Sequence, residues 1–595
     1  MGAFRIPTSV SFHGKQVIIR TSRLDWNDGS TIINSQLFRV MLANYIKNLR
    51  EHESDFLKLF PKADEKKQED LALLLLKKLA LKPGREVVKA NPELKPFFAD
   101  TYALDQFVEG FYNYWRSFER FLVTYSNPKE PKSGSIDKKP YTVFNDTIEK
   151  LNHMVRKIYR EIREHITGEH PIIYRQVPAG CQVGVIAAKK RTVLPKSLEG
   201  LVGKIHVIRQ VLIQPPLIID PPNNKRKGEF AVVHSNPLEG VKFNADEWLC
   251  FPAKVGELTV HFYFHKFYMG LGISVSNLFE LCTDGDLRKK PDAVYAYGVP
   301  PEALEKFAPE KTVFYNDEKN SLMVGAIPLG DEFAYFGYVK KMMLTLYNSI
   351  MIKRGRMPVH GAMTRITMKS GASANVIIFG DTGTGKSESL EAFRILSEGN
   401  LKDMKIVFDD MGSLELQKDG SIKAFGTETG AFVRLDDLQA GYAFGNIDRS
   451  IIMSPQKINA RAVLPITTLQ EILHGWPIDY FLYANNYDEV NSGKYLEFFS
   501  SPEQAMEVFR EGKRMAKGTT NETGLVTAYY ANIFGPSQFR AEHEKIAGKF
   551  FGAMFKTGVK VGQIRTQLGI KGMETSGPQL AAKALFGDIV KNKGK

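Results

Sequence analysis

The residues Gly380-Asp381-Thr382-Gly383-Thr384-Gly385-Lys386-Ser387 follow the spacing G-x-x-x-x-G-K-[ST]. A loop of that kind wraps a polyphosphate in backbone N–H groups, carries its lysine to the outer phosphates and sets its hydroxyl on Mg²⁺. The expected donor is therefore ATP or another nucleoside triphosphate. Downstream, an apolar run at 404–408 delivers Asp409 and Asp410 to a strand's C-terminal end, where a carboxylate meets the nucleotide's metal. Side chains alternate along a strand, so one of the two acids is expected on the metal and the other on a water or a supporting partner. The chemistry these groups fit is phosphoryl transfer. Lys386 and the loop amides neutralise the β- and γ-phosphates, Ser387 and one acid hold Mg²⁺, and Arg461 meets charge developing on the transferred group.

The elements around the loop suit it. Residues 375–379 (NVIIF) read as a buried strand. After Ser387, Leu390, Phe393 and Leu396 recur at helical spacing and Gly399 is a C-cap signal. Strand, glycine loop and helix in that order put a helix N-terminus behind the phosphates. A helix-like segment at 341–360 leads toward the loop. Beyond Asp410 the pattern predicts a hairpin at 412–438, strands at 450–453 and 480–483, and helices at 502–517, at 541–555 and from 578. The glycine-loop half is therefore α/β with a mixed sheet, α+β for the chain overall.

Upstream, residues 1–40 read as short strands and turns, with 16–20 the clearest strand. From 35 to 124 the pattern is helical: Leu71, Leu73, Leu74, Leu75, Leu76, Leu79 and Leu81 crowd one helix, and 107–123 predicts a second, rich in aromatics. Residues 127–141 are rich in Pro, Gly, Ser and Lys and read as an exposed loop, and 147–166 as an amphipathic helix. Strand signals follow at 182–186, 205–208, 230–233 and 258–264. In the last of these His261 and His265 share a face and read as satisfied core histidines. The basic loop 221–228 (PPNNKRKG) suits an anionic ligand or solvent. Three regions emerge: 1–170 mostly helical, 171–330 strand-rich on the substrate side, and 331–595 binding nucleotide and metal.

The chain has 595 residues, 43% hydrophobic and 25% charged, values of a globular protein. No apolar run is long enough to span a membrane, and the first residues lack the apolar core of an export signal, so a cytoplasmic protein is expected. Cys181, Cys250 and Cys282 form no C-x-x-C pair, which argues for a reducing compartment and against structural zinc. The net charge of +14 comes without an interleaved basic–aromatic motif, which points to a nucleotide and a small anionic carboxylate rather than nucleic acid.

From about Tyr335 onward the sequence resembles ATP-dependent phosphoenolpyruvate carboxykinase. Tyr335-Phe336-Gly337-Tyr338-Val339-Lys340-Lys341 is similar to the family's Tyr-x-Gly-x-x-x-Lys-Lys segment. The spacing from Lys341 to His360 is similar to that of the family's Mn²⁺-binding pair, and Asp410 falls at its third ligand. Glu428-Thr429-Gly430-Ala431-Phe432-Val433-Arg434, Asn459-Ala460-Arg461 with Pro465-Ile466, Pro502-Glu503-Gln504-Ala505 and Phe534-Gly535 resemble further family segments in order. The resemblance implies that Lys341, His360 and Asp410 hold Mn²⁺, that Mg²⁺ travels on ATP, that Tyr335 borders the substrate, and that Arg434 and Arg461 clamp the phosphate. An ammonium has no lone pair, so Lys341 as a ligand must be deprotonated, far from its ordinary value of about 10.4. The implied reaction converts oxaloacetate and ATP to phosphoenolpyruvate, ADP and CO₂.

The sequence also departs from that family. Its Gly-Arg-Ser-Pro-Lys-Asp-Lys segment, whose arginine holds the substrate carboxylate, is missing, and Arg226 is a weak stand-in. The family's C-terminal Gly-Lys-Arg segment is not recognisable in residues 569–573, and the helical N-terminal region has no counterpart. The glycine loop with its Ser-Glu ending is similar to that of HPr kinase/phosphorylase. A kinase acting on a protein or small-molecule hydroxyl, with Asp409 or Asp410 as base, and a non-catalytic nucleotide-binding regulator are the alternative readings.

Overall fold

The computed structural model describes residues 9–13, 16–21, 32–118, 120–125, 139–170, 172–176, 182–190, 192–214, 217–381, 384, 401–435, 450–457, 459–490, 493–516 and 524–593. The chain divides into two compact units, Met1–Pro171 and Ile172–Lys595. It is a mixed α/β protein with a helical N-terminal unit and mixed sheets in the second. Among the described residues, no helix is long and apolar enough to cross a membrane.

In the first unit the helices Gln36–Glu51, Glu65–Leu79, Thr101–Arg116 and Lys139–Thr167 surround an aromatic-rich core. Their starts are set by capping residues: Ser35, Asp64 and Asp100 each accept a backbone N–H of the first turn. Of the leucine-rich stretch, Leu73, Leu75, Leu76 and Leu79 are buried, whereas Leu81 lies past the helix end and is 69% exposed. The aromatic helix expected at 107–123 ends at Arg116, and Arg120–Tyr125 is a strand, parallel to Gln16–Thr21. Ser117 closes the helix, and the run Phe121-Leu122-Val123-Thr124-Tyr125 is of aromatic and β-branched type that favours an extended backbone. Residues 127–138 of the expected loop lie outside the described residues, and 139–141 belong to the following helix.

The second unit holds two large sheets. One runs through the strands Ile172–Gln176, Gln182–Ala188, His206–Gln214, Trp248–Val255, Leu258–His265, Ala293–Val299, Leu322–Pro328, Val313–Asp317 and Ala231–Val233. The helix Phe336–Lys353 packs on this sheet; fifteen of its residues are buried, which explains why its sequence is apolar nearly all round. The other sheet runs Trp476–Pro477, Ile422–Gly426, Met411–Leu416, Met357–Met368, Ser373–Phe379, Tyr480–Asn485, Lys560–Arg565 and Leu496–Phe498, with Leu401–Phe408 also paired to Met357–Met368. Its Ser373–Phe379, Tyr480–Asn485 and Lys560–Arg565 strands are parallel neighbours.

Three sequence expectations change here. The helix expected over 341–360 stops at Lys353, because Gly355 takes a left-handed backbone (φ 73°) and the chain turns back as a strand carrying His360. Residues 412–438 give the hairpin Met411–Leu416/Ile422–Gly426, but the next strand, Gly430–Arg434, pairs instead with Arg461–Pro465 in a small separate sheet. The helix expected at 502–517 ends at Glu511, where Gly512 (φ 55°) turns the chain into the strand Lys513–Met515.

His261 is fully buried in the strand Leu258–His265, between Pro252 and Val294 of the neighbouring strands, and neither ring nitrogen has a hydrogen-bond partner. It is a core histidine, but not a satisfied one. Burial holds its pKa down at about 4. The native ring is therefore neutral while the unfolded ring takes a proton below about pH 6.5, so this residue's contribution is present above that pH and lost toward pH 4. Between pH 7 and pH 4.5 it should remove about 2–3 kcal/mol of unfolding free energy. Denaturant unfolding of the His261→Leu variant should show a shallower acid-side decline than wild type; parallel curves would contradict this.

Candidate functional site

Three elements meet at one carboxylate. Asp410 follows the strand Leu401–Phe408 in a left-handed backbone (φ 85°), a conformation Asp tolerates, and its carbonyl accepts the Gly361 N–H at 3.0 Å. Asp409 and Asp410 therefore lie past the strand end rather than alternating along it. Asp410 Oδ2 accepts from Lys340 Nζ at 2.7 Å and from Lys341 Nζ at 2.8 Å, and Oδ1 lies 3.0 Å from His360 Nε2. Burial pushes the Asp410 carboxyl up, but Lys340, Lys341 and His360 together hold it well below the usual carboxylate range.

The histidine's orientation is specified from behind. His360 Nδ1 lies 2.6 Å from the Ala531 carbonyl oxygen, which can only accept, so Nδ1 carries the proton. Nε2, at the other side of the ring, points at Asp410: protonated it donates to Oδ1, and deprotonated it offers a lone pair to a shared cation. Lys341 and His360 thus hold different oxygens of one carboxylate at hydrogen-bond distance, the contacts that a cation shared by the amine, the imidazole and the carboxylate would replace. No group of three His, Cys, Asp or Glu side chains among the described residues could hold a metal, so a site here depends on the Lys341 amine.

Lys340 faces inward and is buried between Asp410 and Glu428, whose Oε1 lies 3.1 Å from its Nζ. Burial draws the Lys340 ammonium down, yet Asp410 and Glu428 raise it above its ordinary value, so it remains a cation. Burial pushes the Glu428 carboxyl up to about 8.

The floor of the site is the ring of Phe534, with Lys341 Nζ 4.5 Å and the Arg226 guanidinium 4.9 Å from its centroid. Asn348 Nδ2 donates to the Phe534 carbonyl at 2.7 Å and fixes this segment. Just before it, Tyr530 and Ala531 both adopt left-handed backbone (φ 47° and 46°), local strain that presents the Ala531 carbonyl to His360. Gly512 makes that geometry possible: a Cβ there would lie 1.9 Å from the Ala528 carbonyl oxygen and 2.4 Å from Ala531 N, at φ 55°. Gly512→Ala should cost about 2–4 kcal/mol, read as a lowered denaturant midpoint. A midpoint within error of wild type would show that this segment yields freely.

On the other side, Arg461 Nε donates to Asn459 Oδ1 at 2.9 Å, and its guanidinium lies 5.1 Å from the Phe432 ring centroid, with Tyr335 against the same ring. Arg434 is Arg461's register partner in the adjacent strand. The loop 221–228 joins this group: Asn459 Nδ2 donates to the Asn224 carbonyl at 2.6 Å, and the Lys227 N–H to Tyr338 Oη at 3.1 Å. That places Arg226 over the same Phe534 ring as Lys341.

The glycine loop starts against the same cluster, because the Gly380 N–H donates to the His360 carbonyl at 2.9 Å. Asp381 Oδ2 accepts from Arg514 Nε at 2.8 Å, and Thr384 Oγ1 donates to the Asp381 carbonyl at 2.8 Å. Thr382, Gly383, Gly385, Lys386 and Ser387, and the helix expected after them, lie outside the described residues. No family model matches the chain, and no curated protein is significantly similar to it.

Sequence reasoning thus named Lys341, His360, Asp410, Arg461, Arg434, Tyr335 and Gly380, and the fold gathers them. It assigned no role to Lys340, Glu428, Phe534, Arg514 or the Ala531 carbonyl. Lys340 and Glu428 sit in motif segments already singled out, and charged residues within apolar surroundings were the available signal. A backbone carbonyl leaves no mark in sequence.

Proposed function

We propose that this protein is an ATP-dependent, Mn²⁺-assisted phosphoryl-transfer enzyme of the phosphoenolpyruvate carboxykinase kind, with that family's glycine-loop fold, acting on oxaloacetate or a similar 2-oxo diacid. The observation that carries the reading is the meeting of an amine, an imidazole nitrogen and a carboxylate, from three separate elements, beside the first residues of the glycine loop. Nitrogen donors beside a carboxylate favour a transition metal over Mg²⁺, which suits the all-oxygen surroundings of nucleotide phosphates. The bound Mn²⁺ would stabilise negative charge developing on the substrate's enolate oxygen.

The chain's own groups divide the remaining work. Arg226, half-buried over Phe534 and tied to the site by its loop, would hold a substrate carboxylate. Arg461 and Arg434, register partners in adjacent strands, would clamp the phosphoryl group, and Tyr335, packed on Phe432 beside Arg461, would border the substrate. Loss of CO₂ leaves an enolate, whose oxygen takes the γ-phosphoryl held by Lys386 and the loop amides. Lys340 stays charged on the Asp410 oxygen it shares with Lys341, and a cation bound there would displace the Lys341 proton and take its lone pair.

The kinase reading needs a free carboxylate base. Asp410, held by two lysines and a histidine, is a poor one, which leaves Asp409 as the base of that reading. The test is release of CO₂ from oxaloacetate with ATP, comparing Mg²⁺ alone with Mg²⁺ plus Mn²⁺. ATP-dependent release that rises at least about tenfold when Mn²⁺ is added supports the two-cation arrangement. Full activity with Mg²⁺ alone contradicts the Mn²⁺ site, and no ATP-dependent release contradicts the reaction.

A further inference from the structure

Asp381 is the one acid of the glycine loop, an odd charge to place beside phosphates, and its surroundings give it another task. Its Oδ2 is held by Arg514 Nε at 2.8 Å, and both side chains are largely buried, 16% and 5% exposed. Its Oδ1 lies 3.6 Å from His360 Nδ1, on the side of the ring facing away from Asp410. Arg514 is itself fixed: it sits in the strand Lys513–Met515, where the Met515 N–H donates to Asn486 Oδ1 at 2.8 Å and Asn486 Nδ2 donates to the Met515 carbonyl at 3.0 Å.

Metal-binding histidines gain basicity and a fixed ring orientation from an acceptor behind the distal N–H. Here that proton goes to the Ala531 carbonyl at 2.6 Å, and behind the same nitrogen, beyond hydrogen-bond reach but near enough for its charge to act on the ring, stands the Asp381 carboxylate. Only the second belongs to the loop that wraps the phosphates, and only it carries charge. The loop's backbone is also tied to the same histidine, through the Gly380 N–H on the His360 carbonyl.

We infer that Asp381, anchored by Arg514, is a positioning residue that stands behind His360 and couples nucleotide binding at the glycine loop to cation binding at Lys341, His360 and Asp410. The inference rests on the metal site of the proposed function. A nucleotide that fixes the loop fixes the carboxylate behind the imidazole, and by reciprocity a cation on His360 strengthens the hold on nucleotide. A purely structural ion pair would stabilise the fold without linking the two ligands.

The experiment is titration of Mn²⁺ by its electron paramagnetic resonance signal, with and without saturating MgADP, on the full chain. Wild type should bind Mn²⁺ at least about fivefold more tightly with MgADP present. In Asp381→Asn, which can still accept from Arg514, Mn²⁺ affinity without nucleotide should fall about tenfold and the MgADP effect should shrink below about twofold. Arg514→Gln should reduce the coupling in the same direction, and the double variant should be no worse than Asp381→Asn alone. Variants that lose thermal stability yet keep wild-type coupling overturn the inference. So does a wild type that binds Mn²⁺ indifferently to MgADP, which leaves the metal site standing. A wild type that binds no Mn²⁺ removes the metal site itself, and the inference with it.

Discussion

Lys341→Met is expected to lower turnover by about 10³-fold or more while leaving nucleotide affinity within about twofold of wild type. Methionine retains much of the packing of the lysine stem, so what is lost is the amine 2.8 Å from Asp410 Oδ2 and 4.5 Å from the Phe534 ring centroid. The fold loses little, because Lys340 continues to occupy the same carboxylate oxygen at 2.7 Å. Stabilising an enolate is worth several kcal/mol of barrier, which is the source of the expected factor. A kinase of hydroxyl groups makes no enolate and would depend less on this amine. Turnover near wild type in this variant would reduce Lys341 to a structural lysine.

The second large effect is on the carboxylate that these cations share. Asp410→Asn should destabilise the protein by about 3–5 kcal/mol and abolish Mn²⁺ binding. Asparagine keeps the shape but leaves Lys340, Lys341 and His360 around a neutral amide, with the buried Glu428, whose carboxyl is pushed up to about 8, as a weak compensating charge against Lys340. The destabilisation should also depend on pH. The wild-type carboxyl is held well below its ordinary value, so its contribution is present above about pH 4 and is lost as pH falls below that. Wild type and variant should therefore converge in stability toward strong acid, in denaturant titrations at several pH values. A constant difference down to pH 2 would contradict this charge arrangement.

The glycine-rich loop behind a strand and the paired acids after another strand were legible as features of side-chain type and spacing. Lys341 and His360 stood out only through the resemblance to a family, since a lysine and a histidine nineteen residues apart carry no signal of their own. The strand before the loop, Ser373–Phe379, was readable from a short apolar run, and the leucine-rich helix Glu65–Leu79 from its periodicity. What escaped depended on contacts distant in sequence. His360 was placed on a helical segment, because the turn at Gly355 is a single-residue signal inside an apolar stretch. The strand Arg120–Tyr125 follows an aromatic helix after only a short polar stretch at Arg116-Ser117, and its pairing with Gln16–Thr21 confirms the change to extended backbone. Arg226 sits in an ordinary basic loop by sequence, and it reaches Phe534 only because Asn459 and Tyr338 hold that loop in place.

The most direct test follows the phosphorus. The protein is incubated with γ-labelled ATP, Mn²⁺, Mg²⁺ and oxaloacetate, and the labelled products are separated. The label should appear in phosphoenolpyruvate, in step with CO₂ release, and should vanish from that product in Lys341→Met. Label transferred to the protein itself or to an added hydroxyl acceptor, with no labelled phosphoenolpyruvate, would contradict the carboxykinase reading.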